Sequence, residues 1–288
     1  MTLSRRSFLV VTSGGIATAT LASAQLLGKK ASLVKIGVPD WNLHLAVKLE
    51  ALELGKRLGF EGVEVSLGRE GSLALADSAL QQKYLDESKK HDISITSTCL
   101  DILHVNYLKS DPLGQRWVLD AIDITKKLGP HVILLPFFGK GSLKTRAEMD
   151  FVSDFLKKEG APKAEKAGIV LGLENTNSAE ENAYMLDRIQ SPAVKVYYDV
   201  GNSTKGGYDV VKEIRWLGRE RICQFHLKDN PYLLGQGSIN FDSIVKAIVD
   251  IKYRGWANLE TDSPNKDLSK DLPANLAFIR RLFEKYES

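Results

Sequence analysis

The residues best suited to chemistry in this chain sit at the ends of four apolar runs. Ile-Val-Leu-Gly-Leu ends in Glu174, Val-Lys-Val-Tyr-Tyr in Asp199, Ile-Cys-Gln-Phe in His226 and Trp-Ala-Asn-Leu in Glu260. Any one acid in such a place could simply cap the loop or helix that follows, and Asp199 before Val-Gly reads readily as a turn residue. Four in phase point elsewhere. If the runs are neighbouring strands, alternation sends all four side chains toward one axis, where they converge. Three crowded carboxylates repel one another, so either some protonate or a divalent cation holds them ionised. Three oxygens and one imidazole nitrogen form a sulfur-free donor set suited to one divalent ion, with Mn2+ the leading choice and Co2+, Fe2+, Mg2+ or Zn2+ as alternatives. Positions left open on the ion would take water or substrate.

These side chains meet only if the rest of the chain closes around them. Short β-branched runs recur roughly thirty residues apart and alternate with helical stretches, the pattern of repeated βαβ units. The expected strands are Val34–Pro39, Gly62–Ser66, Ile93–Cys99, Val132–Phe137, Ile169–Glu174, Val194–Asp199, Ile222–His226 and Trp256–Glu260. The expected helices are Leu43–Leu58, Asp77–His91, Pro112–Leu128, Arg146–Ala167, Ala179–Ile189, Val210–Trp216, Asp242–Ile251 and Leu272–Lys285. Ser110-Asp111-Pro112 is a helix start signal. Eight strand–helix pairs with no spare domain-sized segment predict an α/β fold, a single (β/α)8 TIM barrel over residues 25–288, in preference to a doubly wound open sheet. Barrels of this kind carry their active sites at the C-terminal ends of the strands, where the four candidate ligands fall.

Composition agrees with one globular domain. Of 288 residues, 43% are hydrophobic and 26% charged, with a formal net charge of +3. Residues 1–24 read as a removable signal: Arg5-Arg6 precede a short apolar stretch, and Ala22-Ser23-Ala24 offers an A-x-A cleavage site. The arginine pair resembles a twin-arginine signal, which predicts an exported, periplasmic location. The stretch is too short for a membrane helix, so no membrane association is expected after cleavage. The balanced charge left behind gives no footprint for nucleic acid. Cys99 and Cys223 fall on the third and seventh strands, too far apart to pair, and read as packing residues.

At the strand ends the chain resembles the xylose isomerase-like barrel superfamily, in particular its sugar phosphate isomerase/epimerase and ketose 3-epimerase group. The likeness covers nearly everything after the signal. It is carried by Gly-Phe-Glu-Gly-Val-Glu64-Val, Lys-Ser-Asp-Pro, Leu-Gly-Leu-Glu174-Asn, Tyr-Asp199-Val-Gly-Asn, Phe-His226-Leu-Lys-Asp, Leu-Gly-Gln-Gly237-Ser-Ile-Asn-Phe and Tyr-Arg-Gly-Trp-Ala-Asn-Leu-Glu260. The resemblance implies that Glu174, Asp199, His226 and Glu260 hold the metal, and that Glu174 and Glu260 flank a small carbohydrate or keto-sugar as its acid–base pair. Ketose 3-epimerases often carry a histidine three residues after the strand-six aspartate, where this chain has Asn202. They also carry an arginine six residues after the strand-seven histidine, where it has Tyr232.

The chemistry that follows is proton abstraction beside a carbonyl through an enediolate, giving epimerisation or isomerisation. A leaving group on the β-carbon would turn the same route into a lyase or dehydratase, including cleavage of a keto-glycoside. Metal-dependent endonucleases of the superfamily need more histidines and a basic face than this chain offers. A non-catalytic exported sugar-binding protein would not need two glutamates around one metal. Further candidates for substrate contact are Trp41, which could stack on a sugar face, Glu64 at the end of strand two, His104, Glu180, Asn202 and Lys228. Glu180 also opens a helix, where acids favour the dipole. Phe137 and Phe138 are candidates for the pocket wall. The sequence leaves the sugar open, and with it whether the protein is a homo-oligomer.

Changing Arg5 and Arg6 together to lysine is expected to retain the protein in the cytoplasm, because the export receptor reads the arginine pair. Fractionation of cells carrying a tagged double variant checks this, and normal export would exclude the route.

Overall fold

The computed structural model of the protein describes residues 32–69 and 71–287. The expected signal segment lies outside the described residues. Eight strands, β1 (Val34–Pro39), β2 (Gly62–Ser66), β3 (Ser94–Cys99), β4 (Val132–Pro136), β5 (Val170–Glu174), β6 (Val194–Asp199), β7 (Ile222–Leu227) and β8 (Gly255–Leu259), pair in sequence order. All the pairings are parallel, and β8 closes onto β1. The barrel is therefore closed, and the open-sheet alternative falls away.

The connecting helices are α1 (Glu50–Arg57), α2 (Ser78–His91), α3 (Pro112–Leu128), α4 (Arg146–Phe155), α5 (Ala161–Ala167), α6 (Ala179–Ile189), α7 (Val200–Lys205), α8 (Val210–Arg221), α9 (Phe241–Asp250) and α10 (Leu268–Glu287). Their starts follow local chemistry. The Asp111 side chain caps α3 by accepting from the Leu113 amide, with Pro112 in the first turn. Thr145–Glu148 and Ser178–Glu181 form complete capping boxes at α4 and α6. A π-helical turn, Leu156–Gly160, joins α4 to α5 as one run, matching the single helix read from the sequence. Apolar faces of these helices bury Val118, Ile122, Met185, Ile248 and Ile279 against the outside of the strands. None of the helices in the described residues is long and apolar enough to cross a membrane.

Two expectations change. The first helix does not begin at Leu43: residues 40–48 form a chain of turns in which His44 and Val47 take φ of 58° and 60°. The cause is Asp40, fully buried, whose Oδ2 accepts from the Val47 amide (3.0 Å) and the Ser66 amide (2.9 Å) while Oδ1 accepts from Ser66 Oγ (2.8 Å). These bonds tie the loop to the end of β2, and burial pushes the Asp40 carboxyl up to about 7 against them. A left-handed β-branched residue is costly, so here tertiary bonding overrides helical periodicity. The second change is α7, a short helix directly after Asp199, which the sequence reading left as loop.

Inside the barrel, glycines on β1 and β2 make room for larger side chains from the nearby strands β3 and β8. A Cβ on Gly37 would lie 2.1 Å from Asn258 Oδ1 and 2.8 Å from Thr96 Cγ2. Gly37→Ala is therefore expected to force Asn258 from its place and destabilise the fold by about 1–3 kcal/mol, the usual range for overpacking. Urea denaturation tests this, and an unchanged midpoint would show that the interior has slack.

Candidate metal centre

The four candidate ligands sit at the mouth because each strand delivers one inward side chain at its end. One ligand atom from each of Glu174, Asp199, His226 and Glu260 falls within a group whose members all lie within 4.8 Å of one another. Glu174, Asp199 and His226 are buried, and Glu260 is partly so. His226 is the hub. Its Nδ1 lies 2.9 Å from Glu174 Oε1, 3.4 Å from Glu260 Oε2 and 3.8 Å from Asp199 Oδ2. The ring is held edge-on by Tyr197 (centroids 4.6 Å) and Trp41 (6.0 Å).

What turns Nδ1 toward the carboxylates is Glu64. Its Oε2 accepts from His226 Nε2 at 2.7 Å, and also from Tyr197 Oη and Asn258 Nδ2, both at 3.1 Å. Asn258 reaches on to Ser97, which also receives Gln224 Nε2. Tyr197, Gln224 and Asn258 stand two residues before Asp199, His226 and Glu260, so strand alternation makes them the next layer down. Irregular register at Val63/Glu64 and at Val196/Tyr197 accompanies this pairing, as bulges do where a strand re-aims a side chain.

Asp199 does two jobs. Its Oδ1 accepts from the Asn202 amide at 2.8 Å and caps α7, while Oδ2 faces the cluster. A capping bond and a place in the candidate ligand cluster, alternatives in the sequence, coexist on its two oxygens. Lys228 supplies the positive charge that the chain itself carries here: Nζ lies 2.7 Å from Asp199 Oδ2 and 2.6 Å from Glu260 Oε2. The other Glu260 oxygen accepts from Trp41 Nε1 at 3.2 Å. Burial pushes the Asp199 carboxyl up to about 7, although Lys228 opposes it. Burial would raise Glu260 too, but His226 and Lys228 together more than reverse it and hold it at about 2. Burial works against a charged His226, yet the Glu260, Glu174 and Glu64 carboxylates outweigh it and raise the imidazole well above its ordinary range.

A divalent ion fits this donor set. The chain gathers more carboxylate than its own cations balance, the oxygens and one nitrogen converge, and the imidazole is oriented from behind by a carboxylate, the usual support for a metal-bound histidine.

The cluster opens into a cavity of about 330 Å3. Trp41, Asn202 and Lys228 line it beside Glu174 and Glu260. His104 lines the far side with Phe138, whereas Phe137 is buried in the core. Two expected substrate contacts are placed elsewhere. Glu64 is fully buried beneath His226 and reaches no cavity wall. Glu180 is exposed in the first turn of α6. Arg69 and Asp101, which the sequence reading did not single out, also line the cavity. Cys99 and Cys223 are both free thiols.

The architecture and site define a parallel (β/α)8 barrel with a four-residue acid–imidazole cluster at its C-terminal mouth. Residues 52–282 match the family described as xylose isomerase-like TIM barrel, and the chain belongs to that family. Relatives by sequence carry the names of epimerases. A 2-epi-5-epi-valiolone 7-phosphate 2-epimerase of Actinoplanes sp. is 24% identical over 203 residues, 68% of this chain and 73% of its own. A putative L-ribulose-5-phosphate 3-epimerase of Escherichia coli is 27% identical over 238 residues, covering 72% and 80%. Among solved structures, the 3-keto-D-glucoside 4-epimerase of E. coli superposes with a TM-score of 0.70 at 16% identity, over 86% of this chain and 99% of its own. An L-ribulose 3-epimerase gives 0.73 at 18%, over 88% and 96%. At such identities the superpositions establish the fold.

Two outcomes are expected for the metal. The purified protein should bind about one divalent ion per chain, as one oxygen-rich cluster implies, and chelation should lower its melting temperature. Glu64→Gln keeps the shape but not the charge behind His226, and should weaken Co2+ binding by about ten- to a hundredfold. Titration followed by cobalt absorption measures it. Equal affinity in the variant would mean that packing alone aims the ring.

Proposed function

We propose that this protein is a divalent-metal-dependent sugar epimerase or isomerase that moves a proton on the carbon beside a carbonyl. The observation that carries the reading is the pair of glutamates, Glu174 from β5 and Glu260 following β8, flanking one oriented imidazole at the mouth of a sugar-sized cavity. Relatives named as epimerases of keto-sugars and their phosphates support the same chemistry. Glu174, Asp199, His226 and Glu260 would hold the ion. Bound there, a divalent cation supplies Lewis-acid stabilisation of the negative charge that builds as the proton leaves.

The side chains do the rest. One glutamate removes the proton from carbon, and the other returns a proton to the opposite face or to the neighbouring carbon. Glu260 has both oxygens held, one by Trp41 and one by Lys228, so its carboxylate is fixed in direction. Trp41, partly buried, closes the cavity over that glutamate and presents an apolar ring face to a sugar. Lys228 keeps a positive charge beside the acids while protons move. The reading includes export, supported by Arg5-Arg6 and the A-x-A site.

Glu174→Gln and Glu260→Gln keep size and can still offer an oxygen to the ion, but neither carries a proton. Each should lower turnover by about a hundredfold or more while the protein still melts cooperatively. In deuterated water the wild type should place solvent deuterium on the carbon next to the carbonyl of an accepted ketose. Unchanged rates in both variants would sink the acid–base assignment, and turnover without label would point to a hydride shift.

A further inference from the structure

The half of the cavity away from the cluster has a chemistry of its own. It is built from the loop after β2 (Arg69), the turn after β3 (Asp101 and His104) and the loop after β4 (Phe138). His104 Nε2 lies 3.5 Å from Asp101 Oδ1, and its ring stacks on Phe138 with centroids 6.0 Å apart and planes inclined by 19°. Arg69 is exposed and has no hydrogen-bond or ion-pair partner among the described residues, but its charge is felt at both Asp101 and His104. Burial holds the His104 imidazole below its ordinary range, with Asp101 opposing, so near neutrality the ring is uncharged and can donate at one nitrogen and accept at the other.

The charge balance decides what this wall can recognise. Among the described residues, two cations line the cavity, Arg69 and Lys228. Lys228 is committed to Asp199 and Glu260 at 2.7 and 2.6 Å. The Asp101 carboxylate lines the same cavity and offsets the Arg69 charge, so the described wall carries no surplus positive charge. A phosphate dianion is normally held by an excess of charge-assisted donors. A sugar hydroxyl needs one acceptor and one donor: Asp101 accepts, Arg69 donates, His104 does either, and Phe138 offers a flat apolar surface to C–H groups.

We propose that Arg69, Asp101 and His104 form a distal subsite for the hydroxyls of a neutral keto-sugar, and that the protein takes free ketoses in preference to ketose phosphates. The proposal rests on the epimerase reading for the reacting end of the substrate. It concerns the other end.

The full chain loaded with Mn2+ is assayed by deuterium incorporation, with L-ribulose, D-fructose and D-tagatose set against L-ribulose 5-phosphate and D-fructose 6-phosphate. The free ketose should have the higher kcat/KM, by about tenfold or more, since the phosphate would give up its water without gaining a surplus of charged donors. Asp101→Asn leaves Arg69 unopposed. It should raise KM for the free ketose more than it lowers kcat, and shift the ratio of rates toward the phosphate. Arg69→Met leaves Asp101 unopposed, and should raise the same KM while moving the ratio further from the phosphate. A purely structural role for either residue would change both substrate classes alike. Preference of the wild type for the phosphate, or an unaltered ratio in Asp101→Asn, overturns the subsite. If no sugar takes up label, the melting temperature of the Mn2+-loaded protein decides separately. Greater stabilisation by L-ribulose than by its 5-phosphate keeps the subsite and counts only against the proton-transfer reading. The reverse order removes it.

Discussion

The structure turns on one electrostatic problem: four carboxylates, Glu64, Glu174, Asp199 and Glu260, gathered around a single buried imidazole. Two like charges at about 4 Å repel by about 4 kcal/mol at the effective dielectric of a protein, so such a group does not assemble without strong compensation. The closed barrel imposes the approach, because parallel strands of matched length deliver their last inward side chains to one ring. The chain's own compensation comes from Lys228 above and from the raised proton affinity of His226. Both responses offset the repulsion with charge that the chain itself carries, and the lysine lies against two of the oxygens.

The cluster divides the mouth into unequal halves. Strands β5 to β8 supply the acids, the histidine and Lys228, whereas the loops after β2, β3 and β4 supply Arg69, Asp101, His104 and Phe138. On the proposed reading, chemistry and recognition fall on different loops of one scaffold, a division that lets barrels of this kind change substrates while keeping a reaction. Trp41 bridges the halves. Its loop is pinned by Asp40 to Ser66, and its indole reaches Glu260.

Most of the scaffold was legible in the sequence, because strand period and helix caps are local. All eight strands lie where the apolar runs put them, with ends shifted by at most one residue, and the four acid or imidazole ends converge as alternation requires. What escaped depends on contacts between distant segments. The loop 40–48 has helical apolar spacing, but a buried carboxylate bonded to β2 decides its backbone. Glu64 points inward from its strand as the ligands do, although it sits in the middle of β2, and nothing local distinguishes a residue that touches substrate from one that holds a histidine. Arg69 and Asp101 sit in loops with no periodicity, and their meeting in one cavity follows only from closure. Asp199 was read as cap or ligand because sequence has no way to assign its two oxygens separately.

The layer below the ligands shows how orientation is bought at the expense of packing. In barrels of this type the interior is commonly filled by branched apolar side chains. Here Tyr197, Gln224, Asn258, Ser97 and Glu64 occupy it, all buried and mutually hydrogen-bonded. A buried polar network contributes little net stability, and a broken one is destabilising. Its advantage is direction: an apolar floor would support His226 without choosing which nitrogen faces the mouth. Gly37, whose missing Cβ leaves space for Asn258, belongs to the same arrangement. The glycine on β1 admits Asn258, Asn258 holds Glu64, and Glu64 sets the imidazole. The constraint that begins at the cluster therefore passes from β8 to its paired neighbour β1, a strand that carries none of the four candidate ligands.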